Sequence, residues 1–562
     1  MKIDALKELT NKYFYILISL FYALVFNLFY YKTRNAGFVF DVTEWLKDYI
    51  DNPNFNYFNP PFDNNFRPVY HFILNNTFQF FDVNPKAWYI LSLGLFYIAC
   101  VLFTVFIDQL YSLFHLKNAR LLAFVTSFFV VISPFNTEII VWYATVHYSI
   151  VFICLFSLLI LMLKYRDKIQ LLFLPNIFLF LISILSIELS YSIMPISWLL
   201  FFLLKYFNKS KSSYKGFLKI ILIPQLVIFI SFLTNNMLNH DKMLGHYHMS
   251  KVDFNVFHLI VHWLKLYVKF GLLPNFFGQK FYEPFFNLID KWEILFSALT
   301  IGVTLFVLRF MYVKRIEMKE EDGLVIFLIF ASFCFYVPIS FLFFHNFKEI
   351  ELDRLGVGVF LFGISWLLIL VFRIRNEFIK HFILISYFIL SVLMLQDYTT
   401  RWENSKIVRK GFVENLPIYE NKDVYVVATP ILFKYAYLFA INDSMEIHRY
   451  IKIFKKIKPT STYNIVGFYN MSDIDDMVVV TKVDSMTLNV ELKKWGNWCW
   501  KNLRTAIENK ETNKYILTPA EDHLSYTIRF KTLDSNDKVI LFNRLNFHEV
   551  DWINKPVGTI FL

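Results

Sequence analysis

Residues 138–163 read EIIVWYATVHYSIVFICLFSLLILML, with Lys164, Arg166 and Lys168 directly behind them. After Glu138 this stretch holds no acid, lysine or arginine, and a helix needs about 20 such residues to cross about 30 Å of hydrocarbon. The basic cluster that follows marks its cytoplasmic end, because short cytoplasmic loops accumulate Lys and Arg. Outward from it, similar runs lie at 13–31, 88–109, 119–133, 170–188, 190–204, 217–236, 292–311, 323–344, 355–372 and 381–396. The expectation is a polytopic α-helical membrane protein with about 11 transmembrane helices. The runs 119–133 and 190–204 are short enough to read as re-entrant or broken helices.

Composition leaves no soluble alternative. Of 562 residues, 56% are hydrophobic and only 18% charged, and the mean hydropathy is +0.45. An ordinary soluble chain is about 45–50% apolar and about 25% charged. Lys2, Lys7 and Lys12 precede the first run and no small-residue cleavage site follows it, so it reads as an anchor and not a signal peptide. Three of four cysteines (Cys100, Cys154, Cys334) lie in apolar runs, which excludes a disulfide framework or a Cys-based metal site. The net charge of +11 belongs to the loops and implies no nucleic acid. Richness in Asn, Lys, Ile, Phe and Tyr suggests a bacterial source with an AT-rich genome, hence the inner (cytoplasmic) membrane.

With the N-terminus cytoplasmic, the inside loops carry Lys117 and Arg120, then Lys164, Arg166 and Lys168, then Lys205, Lys209, Lys211, Lys215 and Lys219. Further along they carry Arg309, Lys314, Arg315 and Lys319, then Arg373, Arg375 and Lys380. The short outside loops are nearly free of such residues. Outer loops 32–87 and 237–291 and everything after 397 then face the exterior. Residues 1–397 form the membrane domain, 398–417 a linker, and 418–562 a soluble mixed α/β domain outside. In that domain 423–429, 477–483 and 487–492 have strand character. SYTIRFKTL and KVILFNRL around Ser535-Asn536-Asp537 read as a hairpin.

The first outer loop is dense in acids: Asp41, Glu44, Asp48 and Asp51, with Asp63 and Arg67-Pro68 beyond. A carboxylate at the membrane surface can deprotonate an acceptor arriving from water while a lipid-linked donor arrives from the bilayer. Solvated loop acids are the plainer reading of each one singly. Glu188 stands at the end of an apolar run, where a charge costs about 2.5–3.5 kcal/mol on insertion scales, so it faces a cavity or a partner. His147 reads as a packed, hydrogen-bonded residue or as part of the same outer surface. In the second large loop His246, His248 and Asp241 have the donor types of a divalent-metal site. No cofactor is assigned, and a metal is left open. His258, His262, Lys265 and Lys269 fall at i, i+4, i+7 and i+11 of an apolar stretch, the pattern of a helix lying in the interface plane with one polar stripe outward.

Six stretches then occur in a telling order: NAGFVFDVTEWL (35–46), FRPVYHFILN (66–75), SPFNTEIIVWYATVHYSIVF (133–152), SIELSYSIMPI (186–196), ELDRLGVGVFLF (351–362) and RWENSKIVRKGFVENLP (401–417). Together, over roughly residues 13–417, they resemble GT-C-type glycosyltransferases, in particular the protein O-mannosyltransferase-like branch with an Arg-Pro loop. The resemblance implies a GT-C-like membrane domain that takes a sugar from a polyprenyl-phosphate donor. The sugar passes, with inversion, to a glycan, lipid or protein acceptor on the non-cytoplasmic face.

By matching position Asp41 is the general base. Relatives carry two adjacent acids where this chain has Asp41-Val42, which leaves open whether Glu44 assists or holds the acceptor. Arg354 matches the family's arginine for the donor phosphate, with Arg67 second; the alternatives are an ion pair with Glu351 or Asp353, or an interfacial anchor, for the former and a loop-ordering salt bridge for the latter. Asp63, Glu188, His147, His258, His262 and Lys265 fall to substrate binding, with pairing of Glu188 to Arg354 or His147 as the competing role. A lipid-linked oligosaccharide polymerase or ligase, a transporter or flippase, and a scaffold are the alternative functions.

Overall fold

Apolar composition continues through places where the backbone stops being helical, at Trp142 and at Ile187. The computed structural model describes residues 3–39, 42–63, 65–242, 244, 255–271, 284, 287–313, 319–342, 353–434, 436–438, 445–492, 510–521, 524–534, 536–551 and 554–562. Its helices are α1 (Ile3–Phe29), α2 (Val42–Asp51), α3 (Pro68–Phe81), α4 (Pro85–Leu113), α5 (Ala119–Val131), α6 (Asn136–Val141), α7 (Val146–Lys164) and α8 (Phe173–Ile184). Then come α9 (Ile193–Tyr206), α10 (Ile223–His240), α11 (Val256–Gly271), α12 (Glu293–Val313), α13 (Glu320–Leu342), α14 (Asp353–Phe372) and α15 (Glu377–Asn415). All eleven apolar runs fall on helix. Among the described residues seven helices are long and apolar enough to cross a membrane, and four more are apolar but shorter.

Two runs read as continuous are broken. The stretch 138–163 stops at Trp142, whose backbone turns extended (φ −90°, ψ 96°), and a 3-10 turn at Tyr143–Thr145 leads into α7. The Thr145 hydroxyl donates to Trp142 O at 2.7 Å, a side-chain bond that replaces a helical one. Likewise α8 ends at Ile184, Ile187 is extended (φ −167°), and a 3-10 turn over Glu188–Ser192 opens α9. Glu188 thus heads the sixth apolar segment instead of closing the fifth. Polar termini buried at these turns supply the charged groups described below.

Helices α4 and α7 pack as the centre of the bundle, with α13 against α14 beside them. Gly358 permits the latter approach, since a Cβ there would stand 2.2 Å from Phe335 Cδ1. Leu20, Leu174, Phe178, Ile294, Phe306 and Phe378 are exposed on the outside of the bundle, as a lipid-facing surface requires. Helix α11 packs on α12, α13 and α14, and Lys265, the member of the polar stripe whose side chain is described, is buried in an ion pair with Asp290.

Helix α15, capped by Asn376 through Ile379 N, runs 39 residues without a break. At 1.5 Å per residue that is about 58 Å, about twice the hydrocarbon thickness. It therefore spans the bilayer and continues through the segment read as a linker. Beyond it is a sheet-containing domain with its own apolar core, from Val408 to Val550. Asn546–Glu549, Lys538–Asn543, Asp423–Val426 and Thr462–Ile465 form one sheet in that order, parallel at its centre. Ile560–Phe561, Val479–Lys482, Thr487–Glu491, Ser525–Phe530, Tyr515–Pro519 and Lys510–Glu511 form an antiparallel second, and Thr429–Phe433 sits between Ala436–Tyr437 and Phe468–Met471 in a third.

The expected hairpin of SYTIRFKTL with KVILFNRL is absent: Ser525–Phe530 and Lys538–Asn543 belong to different sheets. Lys538–Asn543, nearly all buried, is a central strand, and its hairpin partner is the following Asn546–Glu549. The turn between them is Arg544-Leu545, both at positive φ (47° and 63°). Non-glycine residues take that conformation at a cost, so the turn had no residue signal.

Candidate functional site

Around the Arg-Pro pair of loop 32–87 several charged groups are buried together. Pro68 occupies the first turn of α3, where its missing N–H costs nothing, and Arg67 stands at the cap. Arg67 Nη2 donates to Asp63 Oδ2 at 2.9 Å, and the same oxygen takes a 2.7 Å hydrogen bond from His71 Nε2. Asp63 Oδ1 accepts from the backbone and side-chain nitrogens of Asn65, both at 2.9 Å. A carboxylate only accepts, so the His71 proton is on Nε2 and Nδ1 accepts from the Tyr49 hydroxyl at 3.0 Å. Burial alone would raise the Asp63 carboxyl, but the Arg67 charge and the His71 bond hold it well below the usual range. Burial pushes His71 down and keeps it neutral, against the pull of Asp63.

The Arg67 guanidinium lies 4.9 Å from the Tyr70 ring and 5.7 Å from that of Trp45, cation–π distances. Its Nε is buried without a partner among the described residues. The loop-ordering salt bridge is therefore formed, and both oxygens of Asp63 are committed to it. Glu188, 3% exposed, is near enough for its charge to act on Arg67 and on Lys242. Lys242 donates to Asn65 Oδ1 at 2.7 Å. Burial lowers its pKa and Arg67 adds to this, with Asp63 and Glu188 opposing. The Tyr148 hydroxyl feels Glu188 and Arg354 together, and the His147 ring stands 4.9 Å from Tyr70, edge to face.

Arg354 is the second buried guanidinium. It pairs with Glu138, from the broken start of the fourth apolar run; Glu351 and the side chain of Asp353 lie outside the described set. The Arg354 amide donates to Glu138 Oε2 at 2.8 Å and its Nη1 to Oε1, and the guanidinium carbon sits 4.2 Å from the Trp142 ring centre.

Of the other sequence expectations, Asp41 lies outside the described residues, between the buried Val39 and Val42. Glu44 is half exposed on α2 and pairs with Arg449 of the C-terminal domain at 3.2 Å. His258 and His262 are on α11, but their side chains lie outside the described set, as do His246 and His248 altogether. Among the described residues no group of three His, Cys, Asp or Glu is placed to hold a metal. Sequence reading missed His71, Glu138 and Lys242 as members. His71 was within reach, at i+4 from Arg67 and i+8 from Asp63; a lone Lys242 past an apolar run has no pattern to find.

No protein-family model matches the chain, and no curated protein matches it. Among solved structures it is similar to an Archaeoglobus fulgidus oligosaccharyltransferase tethered to an acceptor peptide with the NVT sequon, at 12% identity over 74% of this chain and 62% of that one, TM-score 0.37. It is similar to the archaeal oligosaccharyltransferase AglB of Archaeoglobus fulgidus with an inhibitory peptide and a dolichol-phosphate, at 12% identity over 81% and 65%, TM-score 0.38. The third is ArnT from Cupriavidus metallidurans in the apo state, at 10% identity over 80% and 89%, TM-score 0.40. The chain spans less than two thirds of the length of either archaeal protein.

Proposed function

We propose that this chain is a GT-C-type membrane glycosyltransferase, inverting, that moves a sugar from a polyprenyl-phosphate donor to an acceptor on the non-cytoplasmic face. One observation carries the reading: the buried Arg67, Asp63 and Glu188, with the half-buried Lys242 joined to them through Asn65, in the same loop as Asp41 or next to it. Burying ions costs several kcal/mol each, which a purely structural loop has no need to meet.

In this reading the bond between the anomeric carbon and the donor phosphate breaks as the acceptor oxygen forms its bond from the opposite face. The acceptor's proton goes to the Asp41 carboxylate, with Glu44, three residues on in the sequence, assisting it or holding the acceptor. The departing polyprenyl phosphate keeps the electron pair and needs cations. Arg67 and Lys242 suit this better than Arg354, because Arg354 is tied at both its amide and its guanidinium to Glu138. Glu188, His147 and Tyr70 would line the sugar. The C-terminal domain lies outside, and the whole chain belongs to a bacterial inner membrane.

The test is Asp41→Asn. Transfer falls by about 10²–10⁴-fold, the usual worth of a positioned base, while insertion and thermal unfolding are unchanged. Transfer at the wild-type rate would remove Asp41 from the mechanism.

A further inference from the structure

The C-terminal domain is bound to the membrane part at the very segment on which the proposed chemistry depends. Arg409, on the part of α15 that has left the bilayer, is 5% exposed. Its Nη1 donates to Ser405 Oγ at 3.1 Å and to Tyr437 O at 2.9 Å, and its Nη2 donates to Ala36 O. One guanidinium thus joins three pieces of chain: the exit helix, a strand of the C-terminal domain and the first outer loop. Among the described residues its hydrogen-bond partners are neutral oxygens and no carboxylate, an expensive way to bury a cation. The next residue, Gly37, turns through φ +84°, and a Cβ there would stand 3.9 Å from Arg409 Nη2.

Independent contacts hold the far side of the same loop. On α2, Glu44 meets Arg449 at 3.2 Å and Asp51 meets Lys452; Asp82 meets Lys456 at 3.4 Å. The Phe38 and Phe454 rings are 5.8 Å apart. Ala436 and Ile453, though in the C-terminal domain, belong to the apolar core of the membrane helices. The Tyr437 ring lies 5.3 Å from that of Trp142, tilted by 54°, and Arg354 covers the Trp142 ring.

We infer that Arg409 is a positioning residue for transfer: it fixes the Ala36–Val39 segment, with the C-terminal domain as the other jaw, so that this domain completes the site. The inference rests on the proposed function for its kinetic consequence but not for its structural one. A carboxylate next to Val42 is only as well placed as the chain on either side of it, and an error of 1 Å can cost about 10²-fold in rate.

The experiment compares full-length Arg409→Gln and Arg409→Lys in lipid nanodiscs, with the exposed Lys410→Gln as control, by hydrogen exchange and donor-dependent kinetics. Arg409→Gln is expected to speed exchange across residues 34–46 at least about tenfold and leave 525–543 unchanged. It lowers kcat about 30–100-fold with the donor KM within about threefold; Arg409→Lys is intermediate, and adding Asp41→Asn to Arg409→Gln lowers the rate no further than Asp41→Asn alone. Unchanged exchange at 34–46, or equal loss of protection throughout the chain, would overturn the inference. If Asp41→Asn remained active while 34–46 loosened in Arg409→Gln, the clamp would stand and only the assignment of the base would fall. Should Arg409→Gln not fold, Arg409→Lys carries the same two readouts.

Discussion

Arg67 and Arg354, two of the buried arginines of this protein, are held in opposite ways. Arg67 draws its carboxylate from four residues back, with His71 sharing the same oxygen and the Tyr70 and Trp45 rings as further support. Arg354 draws its carboxylate from 216 residues back and holds it by both backbone and side chain. The first pair orders one loop; the second fastens two separate apolar helices at their N-terminal ends. A local pair loses little chain entropy on forming, whereas a distant one stands only if the whole bundle is assembled. Removal of one partner should therefore hurt more at Arg354 than at Arg67.

The largest effect is expected for Glu138→Gln. It leaves a buried guanidinium uncompensated and costs about 3–5 kcal/mol, read as a lowered thermal-unfolding midpoint of the purified protein. A loss below about 1 kcal/mol would mean that the pair is solvated. Asp63→Asn comes next, at about 2–3 kcal/mol, because Arg67 keeps Glu188 and two aromatic faces nearby. Its pH dependence follows from the depressed carboxyl of Asp63. That stabilisation is present above the unfolded pKa of about 3.9 and is lost as pH falls through the lower folded one. The gap between wild type and Asp63→Asn should be constant from pH 8 to 5 and close only at stronger acid.

Asp48 provides the opposite sign on the neighbouring helix. Burial, with Glu44 and Asp51 adding and Lys47 opposing, pushes its carboxyl up to about 6. A folded pKa above the unfolded one means that the ionised form destabilises, so stability rises as pH falls through about 6. Asp48→Asn should gain about 1 kcal/mol at pH 8, after allowance for solvent around this partly exposed group, and nothing below about pH 4. Smallest is the half-exposed Glu44–Arg449 pair, whose coupling in a double-mutant cycle should be about 0.2–1 kcal/mol and should fade in high salt.

The same contrast explains what was legible in the residues. The membrane segments were plain, since apolar runs of the required length carry that information by themselves. A loop-ordering salt bridge was read for Arg67, though its partner Asp63, four residues back, was not named. Glu138 was not visible, because nothing in a sequence ties it to Arg354, and the nearer Glu351 and Asp353 offered simpler partners. The breaks at Trp142 and Ile187 were hidden because hydrophobicity does not change where helix gives way to a turn. In the C-terminal domain Ser535-Asn536-Asp537 announced a turn, yet burial decided the pairing: Lys538–Asn543 is apolar enough to be central and joins strands far away in sequence. Its actual hairpin turns at Arg544-Leu545, residues with no preference for that geometry.

The most direct test of the central claim is donor consumption. Wild-type protein in nanodiscs, incubated with a panel of polyprenyl-phosphate sugars and a membrane extract as acceptor source, should consume one of them, release free polyprenyl phosphate and yield a product of inverted anomeric configuration; Asp41→Asn should leave that donor intact. If every donor survives, or if Asp41→Asn consumes it as fast as wild type, the account is contradicted.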